Sequence, residues 1–397
     1  QFMAQTFYRE VSLPISGIVE TAPLVLDIGI VLALAGLLGL LARKVGMPAV
    51  IGYLATGLLV SPFTPGYVAS YDQLALLADI GVVLLLFEVG IEIDLKRMTR
   101  EQKSLLWGVP TQVALGIAVG TPIFLAFGIP LLGSLLISLS LAMSSSVVIV
   151  NITRSRRRTT DSHTDDSLLA WSVTQDIVGV ATAAVIIAIF GTSNRSSVMA
   201  IFGLFGFILL AYLSARIIPL ILKLVRWEHD LFLIFSVSLG LVLAALGTVV
   251  FEIPMALAGF VAGLAINQSR DTDEVRTVIL PFRDLFAVLF FVTIGSLIQP
   301  QLILQAAPFA AMLIGLLLLL KTLPIYLFAS SVGLKARPLQ LSVGLSQVGE
   351  FSFVLGSIAF SQGALSRTHF VSVLLAVVIS IVGSTLAVRQ FGKVRRF

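Results

Sequence analysis

The sequence predicts an all-α polytopic membrane protein of about 13 transmembrane helices. Three observations carry this expectation. Of 397 residues, 57% are hydrophobic and 12% charged, with a mean hydropathy of +1.04, whereas a soluble domain carries about 25% charged residues. Apolar runs long enough to cross a bilayer recur along the whole chain. Lysine and arginine concentrate in alternate loops, the pattern of a polytopic chain with one cationic side.

The elements follow in order. The first helix, 24–42, is closed by Arg43 and Lys44, and the second, 48–61, is short and opens at Pro48. The third, 72–94, runs into the basic stretch Lys96–Lys103, and the fourth, 105–127, leads to a joint at Pro130. The fifth, 131–152, is followed by the cluster Arg154–Arg158; the sixth is 166–190 and the seventh, 198–225, ends at Lys223 and Arg226. The eighth, 231–251, meets a short ninth, 254–268, at Pro254; Arg270 and Arg276 lie in the loop before the tenth, 278–298. The last three are 302–330, 338–361 and 368–390, with Lys335 and Arg337 between the first two of them. Placing the N-terminus outside and the C-terminus in the cytoplasm puts almost all the basic residues inside, leaving Arg195 and Arg367 in outside loops and Arg9 in the lead-in, as the positive-inside rule requires. That cytoplasmic charge accounts for the pI of about 9.6 without nucleic acid. Arg154–Arg158 is also a candidate contact for anionic membrane lipid.

A repeat organises the chain. Met47–Leu58, MPAVIGYLATGL, echoes Ile253–Leu264, IPMALAGFVAGL, and Leu84–Asp94, LLLFEVGIEID, echoes Leu289–Gln299, LFFVTIGSLIQ, with Gly90 matching Gly295. The copies are seven helices apart, and an odd offset inverts the second copy in the membrane. The expected organisation is a lead-in at 1–23, a first repeat at 24–190, a linking helix at 198–225, a second repeat at 231–390 and a basic cytoplasmic tail at 391–397. Residues 1–10 lack the basic flank of a cleavable signal peptide.

Chemistry concentrates in four polar interruptions. Asp176, beside Gln175 in TQDIVGV, lies mid-way along an apolar run. A carboxylate at that depth costs several kcal/mol, so it reads as an ion or proton site, with a structural helix–helix hydrogen bond as the plainer alternative. The fifth helix carries Ser144, Ser145 and Ser146, and its counterpart, the twelfth, carries Gln347, Gly349 and Glu350. Such stretches weaken a helix, and a broken helix is tolerated only where its freed backbone is buried or lines a cavity. Glu350 at the start of a half-helix would be stabilised by the positive end of the helix dipole, and charge compensation competes with ion ligation as its role. Lys321 interrupts the eleventh helix far from either end. It needs an acidic partner or must lose its proton, and Asp176 and Glu350 are the candidates. Glu88 is a third acid near the cytoplasmic end of its helix, and Arg216 a further intramembrane cation that snorkels or pairs structurally. The chain has no cysteine, and His163, His229 and His369 show no metal-ligand spacing, so no disulfide, thiolate or cysteine–zinc chemistry is available. No nucleophile–base arrangement suggests an enzyme, and no cofactor is expected.

These residues resemble a known family. Thr174-Gln175-Asp176-Ile177, Gly259–Leu264, Phe290–Gly295, Lys321 and Ser346–Phe351 are similar in order and spacing to the monovalent cation:proton antiporter-2 group, in its Kef-type potassium branch. The resemblance spans about residues 24–390. It implies an NhaA/NapA-like antiporter fold, with inverted repeats and two crossing broken helices, a core domain moving against a dimerisation domain, homodimers, and competition of a cation (K+ or Na+) with H+ at Asp176. Gln175, Ser144, Ser145 and Ser146 would help bind the cation, while Lys321 and Glu350 balance charge. Glutamine at Gln175 points to the potassium branch, where sodium-selective relatives often carry a second acid. Glu88 departs from the pattern of many Kef-type proteins. Kef-type chains usually continue into a cytoplasmic nucleotide-binding regulatory domain, whereas this one stops at Phe397 with no GxGxxG after its last helix. It is either naturally short or the membrane part of a longer chain. The expected location is a bacterial inner (plasma) membrane. A cation channel, a sodium-coupled organic-anion symporter and a transport-inactive sensor are the competing readings. A channel needs a multi-site pore, a symporter needs further polar groups for its substrate, and the sequence offers few of either.

Overall fold

A computed structural model describes residues 24–92, 104–153, 160–191, 197–225, 227–251, 253, 255–267 and 272–391. The lead-in at 1–23, the basic stretches Lys96–Lys103 and Arg154–Arg158, the joint at Pro254 and the tail after Phe391 lie outside them. Among the described residues there are sixteen α-helices and no strand. Eight of the helices are each long and apolar enough to span a membrane, the continuous helical stretch Pro300–Ser331 makes a ninth such span, and four shorter apolar helices stand beside them. The protein is an integral membrane protein.

The helices are α1 (Leu24–Lys44), α2 (Ala49–Leu59), α3 (Tyr71–Glu92), α4 (Leu105–Ala126), α5 (Leu131–Ala142), α6 (Ser146–Thr153), α7 (Ser162–Phe190) and α8 (Ser197–Val225). They continue as α9 (His229–Val249), α10 (Met255–Asn267), α11 (Thr272–Ser296), α12 (Ile303–Leu317), α13 (Leu323–Ser331), α14 (Pro338–Leu345), α15 (Phe351–Ser361) and α16 (Arg367–Phe391). Local chemistry sets many of their ends. α1 stops where Gly46 takes a φ of +88°, a conformation cheap only for glycine. Pro48 and Pro130 sit at the N-caps of α2 and α5, and Pro338 opens α14, where the missing N–H costs nothing. Asp161 caps α7 by accepting the Thr164 N–H at 2.9 Å.

Three of the expected helices are interrupted. The expected fifth helix is α5 and α6, parted at 143–145; the expected twelfth is α14 and α15, parted at 346–350. The expected eleventh is α12 and α13, joined by a π-helical turn at Leu318–Thr322 that contains Lys321. Pro324 supplies the reason. It has no N–H to give the carbonyl four residues back, and its ring crowds that carbonyl. The ladder widens instead, and Leu323 N–H reaches Leu318 O. π-bulges of this kind mark functional sites.

The chain divides into two compact units. One takes in Gln1–Gly81 and Leu285–Pro300, described from Leu24 onward. In it α1 packs on α2, and a core of Val31, Ala35, Val60, Leu74, Leu289 and Val292 forms between α1, α2 and parts of α3 and α11. Asp27, buried on α1, accepts hydrogen bonds from the Ser70 N–H at 2.9 Å and from the Tyr67 hydroxyl. That makes it a structural acid. α2 meets α11 at glycine: a Cβ on Gly57 would lie 2.0 Å from Val292 O, and one on Gly295 2.2 Å from Leu54 O.

The other unit is Val82–Asp284 with Gln301–Phe397. Here α4, α5 and α7 pack together, α15 packs on α5 and α16, and α14 on α16 and α7. α3 meets α10 at glycine: a Cβ on Gly90 would lie 2.3 Å from Phe260 O, and one on Gly263 2.1 Å from Phe87 O. Leu54 and Gly57 in one sequence echo correspond to Phe260 and Gly263 in the other, and Phe87 and Gly90 to Val292 and Gly295. The same contact is made twice. The compact units do not follow the halves of the repeat, because each such contact pairs a helix of one copy with a helix of the other.

Candidate functional site

The two breaks are hydrogen-bonded to each other. Gly349 N–H donates to Met143 O at 3.0 Å, the Ser144 hydroxyl to Leu345 O at 2.8 Å, and the Gln347 amide nitrogen to Ser145 O at 3.2 Å. A Cβ on Gly349 would lie 2.9 Å from the Ser144 carbonyl carbon, so glycine is what lets the strands of the crossing touch. The breaks also use serine: Val348 N–H donates to Ser380 Oγ at 2.9 Å, and Ser384 Oγ donates to Val343 O at 2.8 Å. Ser352 Oγ reaches Ser140 O at 3.2 Å. These bonds satisfy backbone groups that the broken helices release.

Four helix ends meet at this crossing, and charge is sorted among them. α5 and α14 end there, presenting carbonyls at the negative ends of their dipoles; α6 and α15 begin there. Lys321 is 1% exposed. Its ammonium donates to Met143 O at 2.7 Å and to Gln347 O at 2.5 Å, one carbonyl just beyond each C-terminal end. The π turn aims it there from between α12 and α13. Glu350, 7% exposed, sits at the N-cap of α15 and accepts the Ser145 hydroxyl at 3.1 Å. Cation at the carbonyl ends and acid at a start is the arrangement dipoles favour. The acidic partner expected for Lys321 is here a pair of backbone carbonyls.

Asp176 is 5% exposed on α7. Its neighbour Gln175 ties α7 to the first break. Gln175 Oε1 accepts the Ser144 N–H at 3.2 Å, and Nε2 donates to Ala142 O at 2.9 Å and to Gln112 Oε1 at 2.6 Å. One turn on, a Cβ at Gly179 would lie 2.4 Å from the Met143 sulfur, so α7 is pressed against the break at the level of the aspartate. Both ends of the Gln175 amide are engaged in this brace. Ser145 is likewise engaged, accepting Val148 N–H at 3.2 Å while donating to Glu350. Ser144 keeps lone pairs on its hydroxyl, and Ser146 is half-buried in the first turn of α6.

Gln112, Met143 and the Gln347 backbone are site residues that the sequence did not single out. Gln112 is a buried amide on the apolar helix α4, and that oddity was the available signal. Gln347 Oε1 is buried and accepts no hydrogen bond from the protein. Glu88 belongs elsewhere: it accepts from Arg276 Nε at 3.0 Å and Arg283 Nη1 at 2.9 Å, both on α11. Arg276 is thus helical and paired, not a loop cation. Among the described residues no cluster of three histidine, cysteine or acidic side chains could hold a resident metal.

A pair of crossed, broken helices with a lysine on their carbonyls and an aspartate beside them invites comparison with known proteins. The chain matches the family described as "Sodium/hydrogen exchanger, transmembrane" over residues 29–391. It belongs to that family. Among the exchanger's relatives is the Escherichia coli (strain K12) protein named "Putative cation/proton antiporter YbaL", 29% identical over 376 residues, which are 91% of this chain and 67% of that protein. Its fold is that of the sodium proton antiporter MjNhaP1 from Methanocaldococcus jannaschii. A structure of that protein at pH 8 matches with a TM-score of 0.72 and 17% identity, covering 94% of this chain and 98% of the other. A second structure, from electron microscopy, matches with a TM-score of 0.64 over 92% and 95% of the two chains.

Proposed function

We propose that this exchanger carries out electroneutral antiport of a monovalent cation, K+ first and Na+ second, against a proton, with Asp176 as the group that holds either. The observation that carries the reading is the buried aspartate braced by Gln175 against the crossing of two broken helices. One carboxylate that binds one cation or one proton couples the fluxes by competition. The cation, partly dehydrated, takes oxygen ligands from Asp176 and from groups at the crossing with lone pairs to spare, Ser144 Oγ and Gln347 Oε1 among them. Lys321 and Glu350 do not transport; they neutralise the four helix ends that would otherwise bias the site. A core domain carrying the crossing rocks against a dimerisation domain, within a homodimer, and exposes Asp176 to each side in turn. The chain sits in a bacterial inner membrane with its N-terminus outside, and a cytoplasmic nucleotide-binding regulatory domain or subunit acts on it. Glutamine rather than a second acid beside Asp176 favours K+ and a one-for-one exchange.

Proteoliposomes holding a pH-sensitive dye test the proposal. K+, Na+, Li+ and Rb+ are added in turn. Asp176→Asn is expected to remove cation-dependent proton flux while its melting temperature stays near wild type. Exchange is expected to build no membrane potential without ionophore. Near wild-type exchange by the purified variant would remove Asp176 from the mechanism, and a transport-linked potential would reject electroneutrality.

A further inference from the structure

An almost wholly apolar cleft of about 430 Å³ opens between α7, α8 and α10, lined by Ile177 and Val185, Phe207 and Tyr212, and Leu257 and Ala265. Its wall begins at the residue after Asp176. Tyr212 both lines the cleft and accepts a hydrogen bond from Arg216 Nη2 at 2.7 Å, with the guanidinium carbon 5.1 Å from the ring centroid. Arg216 is exposed, and among the described residues it meets no carboxylate. It is also deep, nine residues or about 14 Å of helix from the end of α8 at Val225. An exposed arginine at that depth is relieved by snorkelling, bilayer thinning or water, and a lipid phosphate is the anion a bilayer offers it.

We propose that the cleft and Arg216 together seat one anionic phospholipid. Its phosphate lies on the Arg216 guanidinium, whose planar fork matches phosphate oxygens, with the Tyr212 hydroxyl beside it. One acyl chain fills the apolar cleft. The charge complements the arginine, and the chain complements a cleft that offers almost nothing but carbon. A lipid held there touches α7 next to Asp176, so its presence bears on the helix that carries the ion site.

Purified protein in mild detergent is titrated with dioleoyl phosphatidylglycerol, dioleoyl phosphatidylcholine or inorganic phosphate, following melting temperature and lipid retained per protomer by native mass spectrometry. Phosphatidylglycerol with a photoreactive tail then maps the acyl chain. Phosphatidylglycerol is expected to stabilise and to be retained, phosphatidylcholine to act more weakly, and phosphate to do nothing. Arg216→Gln is expected to weaken retention about fivefold, the share of one basic side chain at an anionic surface. Arg216→Lys should keep most of it. Ala181→Phe, which fills the cleft, should remove photolabelling from α7, α8 and α10 while leaving oligomeric state unchanged. Equal action of the two lipids would overturn the proposal, as would stabilisation by phosphate alone, retention unaffected by Arg216→Gln, or labels outside these helices. A cleft that is covered in the dimer and takes no label would assign this face to a second copy of the chain instead. Should Arg216→Gln not fold, the Ala181→Phe labelling decides.

Discussion

Where α2 meets α11, and again where α3 meets α10, two glycines bring backbone against backbone, and the geometry is matched atom for atom: Gly57 on Val292 O, Gly263 on Phe87 O. The residue two before the second glycine differs. At one crossing it is Thr293, whose hydroxyl turns back to Leu289 O of its own helix at 2.9 Å. At the other it is Glu88, 3% exposed, holding Arg276 and Arg283, whose side chains are 35% and 21% exposed. The repeat has preserved packing and changed chemistry. The breaks teach the same lesson. Both copies part their helix at the same place, yet one supplies serines and the other Gln347 and Glu350. Symmetry builds the scaffold, and the charged chemistry lies where symmetry fails.

The largest expected effect separates the two crossings. Glu88→Ala removes the buried carboxylate that two arginines share, though Arg283 keeps its exposed pair with Asp284, and removing one partner of a buried ion cluster costs about 3–5 kcal/mol. Partial exposure of both arginines holds it to the low end of that range. Thr293→Ala loses one hydroxyl bonded within its helix and should cost about 1 kcal/mol or less. Melting temperatures of the two purified variants measure the difference, and equal shifts would mean that the charge at Glu88 is solvated, not structural.

Much of this was legible in advance, for physical reasons. Hydropathy marks spanning helices because lipid leaves the backbone no other partner, and prolines mark the starts of α2, α5 and α14. The serines and Gly349 marked both breaks, since weak helix formers at membrane depth have few other uses. The Lys321 partners were not legible: they are carbonyls, and a backbone oxygen has no letter in the sequence. Glu88 hid its partners because α11 begins at Thr272, not at 278 where its apolar run starts, so Arg276 read as a loop residue. The π turn hid behind the same uniform hydropathy; Pro324 was its only sign.

The glycines themselves come next in size. Gly57→Ala and Gly263→Ala each put a methyl within about van der Waals overlap of a fixed carbonyl, and overpacking of this kind costs about 1–3 kcal/mol. Backbone cannot turn aside as a side chain can, so the helices must part. The prediction is that the two variants lose similar stability, within the error of a thermal melt. A severe loss in one with none in the other would show that the repeat matches in sequence and not in packing.

The smallest effect sharpens what burial contributes to the contrast. Asp161 and Arg337 are the same acid–arginine chemistry set in the open: Oδ2 and Nε are 2.9 Å apart, with the side chains 34% and 53% exposed. Asp161 also caps α7, and the Arg337 N–H donates to Thr164 Oγ1 at 3.0 Å, tying the start of α7 to that of α14. Burial works to raise the Asp161 pKa, but the hydrogen bonds from Thr164 and the Arg337 guanidinium outweigh it and hold the carboxyl below the usual range. A depressed folded value means that the stabilisation is fully present above the unfolded value, near pH 4, and is lost as pH falls through the folded one. Asp161→Ala should therefore cost about 1 kcal/mol at neutral pH, mostly the helix cap, since an exposed ion pair adds little and is screened by salt. The gap between variant and wild type should close as the pH is lowered below 4, because protonation removes from the wild type what the substitution removed already. If the gap persists in acid, Asp161 acts as a neutral hydrogen-bonding cap. If it approaches the cost of Glu88→Ala, burial is not what makes the charged glycine crossing differ from the uncharged one.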